Sequence, residues 1–222
     1  MGSPAGEGHP DEEPRHWVTI KAPFSMAAVP VTVAQYATFD PDHRSYFADQ
    51  VPAQELATRW LSAAVPWLRG ARLPTEEEWE HACRAGTQTR YWSGNEVADL
   101  ERVGWYLGNS GNRTHRVGKK PANPYGLFDL HGNVWEWTLS PATKDYSERK
   151  AGLDLDPRTV NVADPAALSG ARVTRGGCYW LDALKARAAY RGIWFPEVVD
   201  QDRGFRVVLP VPSPHPAVET GP

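Results

Sequence analysis

The stretch 126–137, GLFDLHGNVWEW, carries the densest set of residues that could do chemistry. Asp129 and Glu136 place two carboxylates on either side of a turn at Gly132. With the main-chain carbonyls of Gly132 and Val134 they make an oxygen set of the kind that holds a hard cation such as calcium. The same residues have a second reading, in which Leu127, Trp135 and Trp137 are core and Glu136 completes a local turn; the spacing favours this one. His131 has no histidine four residues on and no nearby cysteine, so a satisfied imidazole fits better than a ligand or base. The other histidines are scattered, and no zinc or iron triad can be assembled from their spacing. Cys178 follows the pair Gly176-Gly177, but a reactive thiol needs a base to make it a thiolate. No histidine is placed in sequence to serve it, so a packing role is favoured. The acids of RLPTEEEWEHACRAG (72–86) read as helix capping rather than as a catalytic cluster. No catalytic residue is assigned.

The elements that must position these groups are few. Thr75 with Glu78 forms a capping box, acids crowd the positive end of the helix dipole, and Gly86 fits the stop, which predicts a helix over 75–86. Thr32 with Gln35 predicts a second helix start, and Pro52 a third over 52–65. HWVTIKAPFSMA (16–27), ARVTRGG and RGFRVVLPV read as strands. From 87 to 170 turn signals dominate and no helix is assigned. The pattern is α+β with much irregular backbone. Residues 1–15 are rich in Gly, Pro and acids and read as a flexible N-terminal segment. The body runs over 16–210, and 211–222 is a Pro-rich tail.

At 222 residues the chain is one domain with tails, large enough to fold without disulfides. Its two cysteines exclude a disulfide framework and a C-x-x-C metal site. A net charge of −3 gives no electrostatic case for nucleic acid. No apolar run reaches the ~20 residues that a membrane helix needs, and no signal peptide is visible. A soluble, cytoplasmic setting is the expectation, with no membrane insertion. The abrupt start also suggests a longer parent protein.

The stretch 175–207, RGGCYWLDALKARAAYRGIWFPEVVDQDRGFRV, poses a different question. Large apolar residues crowd it without a strand or helix period. Between a glycine pair and a Gly-Phe-Arg end stand Tyr179, Trp180, Leu181, Leu184, Tyr190, Ile193, Trp194, Phe195, Val198 and Val199. Either they are core, or they form a surface that touches a ligand. Rigid aromatics suit a binding surface, because they present a broad contact area at low entropic cost.

Five ordered motifs, ending in HRVGKKPANPYGLFDLHGNVWEW, RVTRGG and DRGFRVV, resemble the successive signatures of the formylglycine-generating enzyme (sulfatase-modifying factor) superfamily. The resemblance implies a C-type lectin-like fold with two or three helices and a small twisted antiparallel sheet. Its oxidases bind copper through a cysteine pair, and the matching positions here are Leu181 and Ala186. Without those thiolates a copper(I) site is not expected. The segment 175–207 is similar to the hypervariable region of variable proteins of diversity-generating retroelements. In that register Arg187, Arg191 and Arg206 are struts and Phe205 is core. The diversified set is Leu181, Leu184, Tyr190, Gly192, Ile193, Phe195, Val198 and Val199, with Tyr179, Trp180 and Trp194 among them. The implied activity is non-enzymatic binding of a protein or other macromolecule through 179–199, with no required cofactor beyond a candidate calcium. The rival reading is a thiol-dependent oxidase that uses Cys178.

Overall fold

The computed structural model describes residues 1–38, 71–148, 170–196 and 200–211. The helix expected over 52–65, residues Val198 and Val199, and the tail beyond Val211 lie outside the described residues.

Helix α1 spans Val33–Ala37 and α2 spans Glu76–Arg84. Both begin as their sequences predict. Thr32 Oγ1 accepts from the Gln35 N–H at 3.2 Å while Gln35 Oε1 accepts from the Thr32 N–H at 2.9 Å. Thr75 and Glu78 make the same reciprocal pair at 3.2 and 2.9 Å. The stop of α2 comes one residue sooner than the glycine implied, because Ala85 itself takes the left-handed position at φ +45°. Helix α3, Val97–Val103, lies where no helix was expected. Its entry has no Ser or Thr cap; Asp99 Oδ2 accepts from the Glu96 N–H at 3.1 Å instead. It buries only Leu100 and Val103, so its apolar signal is short.

The main sheet has strand order β4-β3-β2-β5, built from Trp135–Pro141 (β2), Arg172–Arg175 (β3), Gly192–Trp194 (β4) and Arg203–Gly204 (β5). The β2–β3 and β3–β4 pairs are antiparallel and β2–β5 is parallel. A separate antiparallel ribbon joins Phe24–Met26 (β1) to Val208–Pro210 (β6). The strand expected over 16–27 is therefore formed only at its last residues. Strand β2 is buried along its length except at Pro141, so its side chains serve cores on both faces of the sheet. Trp137 and Leu139 pack with Tyr36, Leu73 and Phe205, while Trp79 of α2 packs with Leu127, Leu130 and Ala188.

Residues 1–15, expected to be flexible, are tied to this body at Gly2, Ser3 and Glu12. The Ser3 N–H donates to Glu12 O at 3.1 Å, the Gly2 N–H donates to Glu80 Oε1 at 2.9 Å, and Glu12 is fully buried. Acid-rich composition misleads here because one of the acids, Glu12, has its guanidinium partner, Arg187, far along the chain.

Those partners define the interior. Arg206 donates to both oxygens of Glu136 at 2.6 Å, and the Trp79 indole N–H donates to the same carboxylate at 2.6 Å. Arg191 reaches Glu76 at 3.1 and 3.2 Å, and Arg187 holds Glu12 at 2.7 and 2.8 Å. Arg175 is bonded to Glu80 and also donates to the main-chain oxygens of Ala189 and Tyr190. Arg72 clamps Glu78 with two contacts of 2.7 Å. Apart from Arg72, each of these charged residues is buried. Removing one partner of such a pair strands a charge in low dielectric, which costs about 3–5 kcal/mol. Arg206→Ala is expected to lower the unfolding free energy by about that amount in denaturant titration. A loss below about 1 kcal/mol would show that the pair is an exposed-type contact with little effect.

Candidate functional site: the C-terminal surface

The chain leaves β3 through Gly176 and Gly177. At Gly177, φ +73°, an added Cβ would sit 2.6 Å from Lys185 O, so the turn requires glycine. From there the backbone is fastened at short intervals. The Tyr179 N–H donates to Asn133 O at 3.0 Å, and Tyr179 O accepts from the Ser110 hydroxyl at 2.7 Å. Leu181 O accepts from the Leu107 N–H at 2.9 Å. Asp182 caps a 3-10 turn over Ala183–Ala186, where Ala183 O accepts from the Tyr91 hydroxyl at 2.9 Å. The Ala188 N–H donates to Arg90 O at 2.8 Å, and β4 then rejoins the sheet with Ile193 opposite Val173. Ala186, Arg187, Ala188, Ala189 and Arg191 face inward, and Arg187 also closes on Leu184 O at 2.8 Å.

Against this frame the expected surface residues fall into distinct groups. Leu184, Phe195, Trp180 and Ile193 are exposed, at 60%, 58%, 44% and 42%. Tyr179, Leu181, Tyr190 and Trp194 are half-buried. Gly192 belongs to the frame rather than to the surface: a Cβ there would lie 2.4 Å from Thr174 Oγ1 and 3.1 Å from the Trp135 ring. Two partners of this surface escaped sequence reasoning. Asp202 Oδ2 accepts from the Trp180 indole N–H at 2.9 Å and fixes that ring while its face stays open. The Arg203 guanidinium lies 3.9 Å from the centroid of the Trp194 ring and backs it from below. Both residues sit in DQDRGFRV, where the sequence offers only a strand and turn pattern. Glu12, which anchors Arg187, has no sequence signal at all.

The candidate cation set does not assemble. Glu136, proposed as one of its carboxylates, is filled by Arg206 and Trp79, which explains its burial without a metal. Asp129 Oδ2 accepts from the Gly118 N–H at 2.7 Å, and burial raises its pKa. The Gly132 N–H is tied to Gly176 O at 2.7 Å, and Val134 is a core residue. Among the described residues no group of three or more His, Cys, Asp or Glu is placed to hold a metal ion.

The residues do not fit copper either. Leu181 and Ala186 offer no soft donor. Cys178 is buried, its sulfur 3.5 Å from Asp202 Oδ2, and burial with that carboxylate drives the thiol pKa well up. Cys83 is buried against His131 and pushed up to about 12 by burial. His131 is explained by its contacts. Nδ1 faces Ala186 O at 2.7 Å and must donate, while Nε2 accepts from the Trp92 N–H at 3.0 Å. Burial pushes this imidazole down to about 4.

Residues 53–211 match the sulfatase-modifying factor enzyme 1-like domain. The chain is 29% identical over 228 residues to the serine/threonine-protein kinase pkn1 of Chlamydia caviae, covering 90% of this chain and 35% of that protein. It is 32% identical over 152 residues to the formylglycine-generating enzyme of Mus musculus, covering 62% of this chain and 38% of that one. The chain thus spans little more than a third of the length of these curated relatives. Its fold superposes on variable protein 1 of Treponema denticola with a TM-score of 0.69 at 23% identity, covering 85% and 84% of the two chains. The α+β, C-type lectin-like fold expected from the motifs is the fold observed.

The thiol geometry predicts that neither Cys83 nor Cys178 reacts with an aromatic disulfide reagent at pH 8 until denaturant is added. Labelling of the native protein at the rate of a free thiol would contradict it. The imidazole of His131 is expected to titrate near pH 4 by NMR. Its folded pKa lies below the unfolded value of 6.5, so the unfolded chain takes up the proton first. Stability from this group is complete above pH 6.5 and declines as pH falls toward 4, by roughly 3 kcal/mol.

Proposed function

The chain belongs to the sulfatase-modifying factor enzyme 1-like domain family, and from that premise we propose that it is a non-catalytic member, a binding protein that displays the surface of 179–199 to a protein or other macromolecular ligand. The observation that carries this reading is the separation of roles along one segment. Arg187, Arg191, Gly177 and Gly192 hold the backbone, while Trp180, Leu184, Ile193 and Phe195 stand in solvent with no packing task. Exposed large apolar groups on a rigid frame are what a contact surface needs, because little conformational freedom is lost on docking. The same separation suits a surface whose side chains are diversified while the fold is kept, as the retroelement register of 175–207 implies.

The rival reading, a thiol-dependent oxidase at Cys178, has less support. The thiol is buried and held protonated, and the paired thiolate positions are Leu181 and Ala186.

A display library tests the proposal. Positions 180, 184, 193 and 195 are randomised together and selected against a defined folded protein such as hen lysozyme. Most members are expected to melt within a few degrees of the parent, and binders are expected to emerge. A matched Gly192→Ala variant is expected to lose about 1–3 kcal/mol through overpacking. If most library members unfold, the four side chains hold the core and the proposal fails. Copper-dependent oxygen uptake with a cysteine-containing peptide would revive the oxidase.

A further inference from the structure

Between Arg102 and Asp129 the chain carries no acid, yet RTHRVGKK (113–120) places four cations there. In a chain of net charge −3 this is a local reversal of sign. Lys120 is accounted for: its ammonium lies 4.2 Å from the centroid of the Trp105 ring and donates to Glu101 O. Arg113, Arg116 and Lys119 are exposed, and among the described residues no carboxylate stands within ion-pair distance of any of them. Asp182, the acid next in the adjoining C-terminal segment, is occupied with the Lys185 N–H at 3.3 Å.

The loop that carries these cations is fastened. The Asn133 carboxamide grips the main chain of His115, with Oδ1 accepting from its N–H at 2.9 Å and Nδ2 donating to its O at 3.1 Å. The His115 ring stacks on Trp105 with centroids 3.7 Å apart and planes 8° from parallel. The Gly118 N–H donates to buried Asp129 at 2.7 Å. Two of the residues that hold the loop also hold the contact segment. Asn133 O accepts from the Tyr179 N–H at 3.0 Å. Ser110, whose O faces His115 Nε2 at 2.8 Å, donates its hydroxyl to Tyr179 O at 2.7 Å. The Leu107 N–H reaches Leu181 O at 2.9 Å, and its side chain, 54% exposed, adds an apolar group at the junction.

An apolar centre with a charged rim is the anatomy of a protein contact surface. Rim cations without partners attract carboxylates, speed the encounter with an acidic partner and penalise a basic one. The apolar groups beside the loop and the negative overall charge favour a protein over a phosphate backbone. We infer that the loop 107–119 is a second part of the contact surface, and that the ligand is an acidic protein whose carboxylates meet Arg113, Arg116 and Lys119. This rests on the binding role proposed above for 179–199.

The library randomised at positions 180, 184, 193 and 195 tests it. It is selected against two supercharged forms of green fluorescent protein, one strongly negative and one strongly positive. Binders are expected at least about tenfold more often against the negative form. In those binders Arg113→Glu with Arg116→Glu is expected to slow association at least about tenfold at low salt, with an unchanged melting temperature. Arg15→Glu with Lys21→Glu, at two exposed cations of the N-terminal segment, is expected to slow it less than about twofold. The slowing is expected to vanish at about 1 M salt, where charges are screened beyond about 3 Å. No preference for the negative form, or association untouched by the loop reversals, overturns the inference and leaves the surface of 179–199 standing. Equal slowing by both pairs of reversals also overturns it, by assigning the effect to overall charge. Tighter binding of a DNA duplex than of the negative protein overturns it by assigning the loop to phosphates. Failure to obtain binders against either form overturns the binding role and this inference together. If the reversed loop destabilises the chain, Arg113→Gln with Arg116→Gln decides on the same rate.

Discussion

Buried guanidinium–carboxylate pairing is the constraint on which this molecule rests. Helix α2 carries Glu76, Glu78 and Glu80, all buried and each met by an arginine from another segment. Glu136 does the same at the centre of the sheet, and Glu12 does it at the N-terminal side. Such pairs add little net stability over a well-packed apolar alternative, but they are costly to separate. Their value lies in uniqueness: a planar fork that must meet two oxygens tolerates few alternative placements. The fold has short strands and little helix, so propensity and hydrogen-bond ladders alone specify it weakly. The charge pairs supply the missing specification.

That arrangement explains how the C-terminal segment can be both irregular and fixed. Arg175, Arg187, Arg191 and Arg206 come from or flank the segment, and their carboxylates lie on α2, β2 and the N-terminal turn. Position is therefore set from below. The side chains above, at Trp180, Leu184, Ile193 and Phe195, are not needed for it. The two positions that the resemblance matches to a cysteine pair, Leu181 and Ala186, fall in the same segment.

Much of this was readable in the sequence, and the misses have physical reasons. The two capping boxes were legible because a cap is a local device whose partners lie three residues apart. The glycine pair and the closing Gly-Phe-Arg were legible for the same reason. The burial of Glu12 was not, because its partner, Arg187, lies far along the chain. Glu136 beside Asp129 looked like a cation site for the matching reason: sequence shows the carboxylates but not the guanidinium that meets one of them. Helix α3 was missed because its few buried residues give too short a period. Asp202 and Arg203, which steady Trp180 and Trp194, act through contacts that no spacing rule anticipates.

The fastening of the backbone between Tyr179 and Trp194 also limits how this surface can change. Its main-chain groups are largely engaged with the body, so under the proposed binding role recognition falls to side chains mounted at separate points. Contributions from such points combine nearly independently when the groups do not touch. Under that proposal affinity is built one replacement at a time, each step judged on its own merit, without the coupled rearrangements that make flexible loops hard to improve.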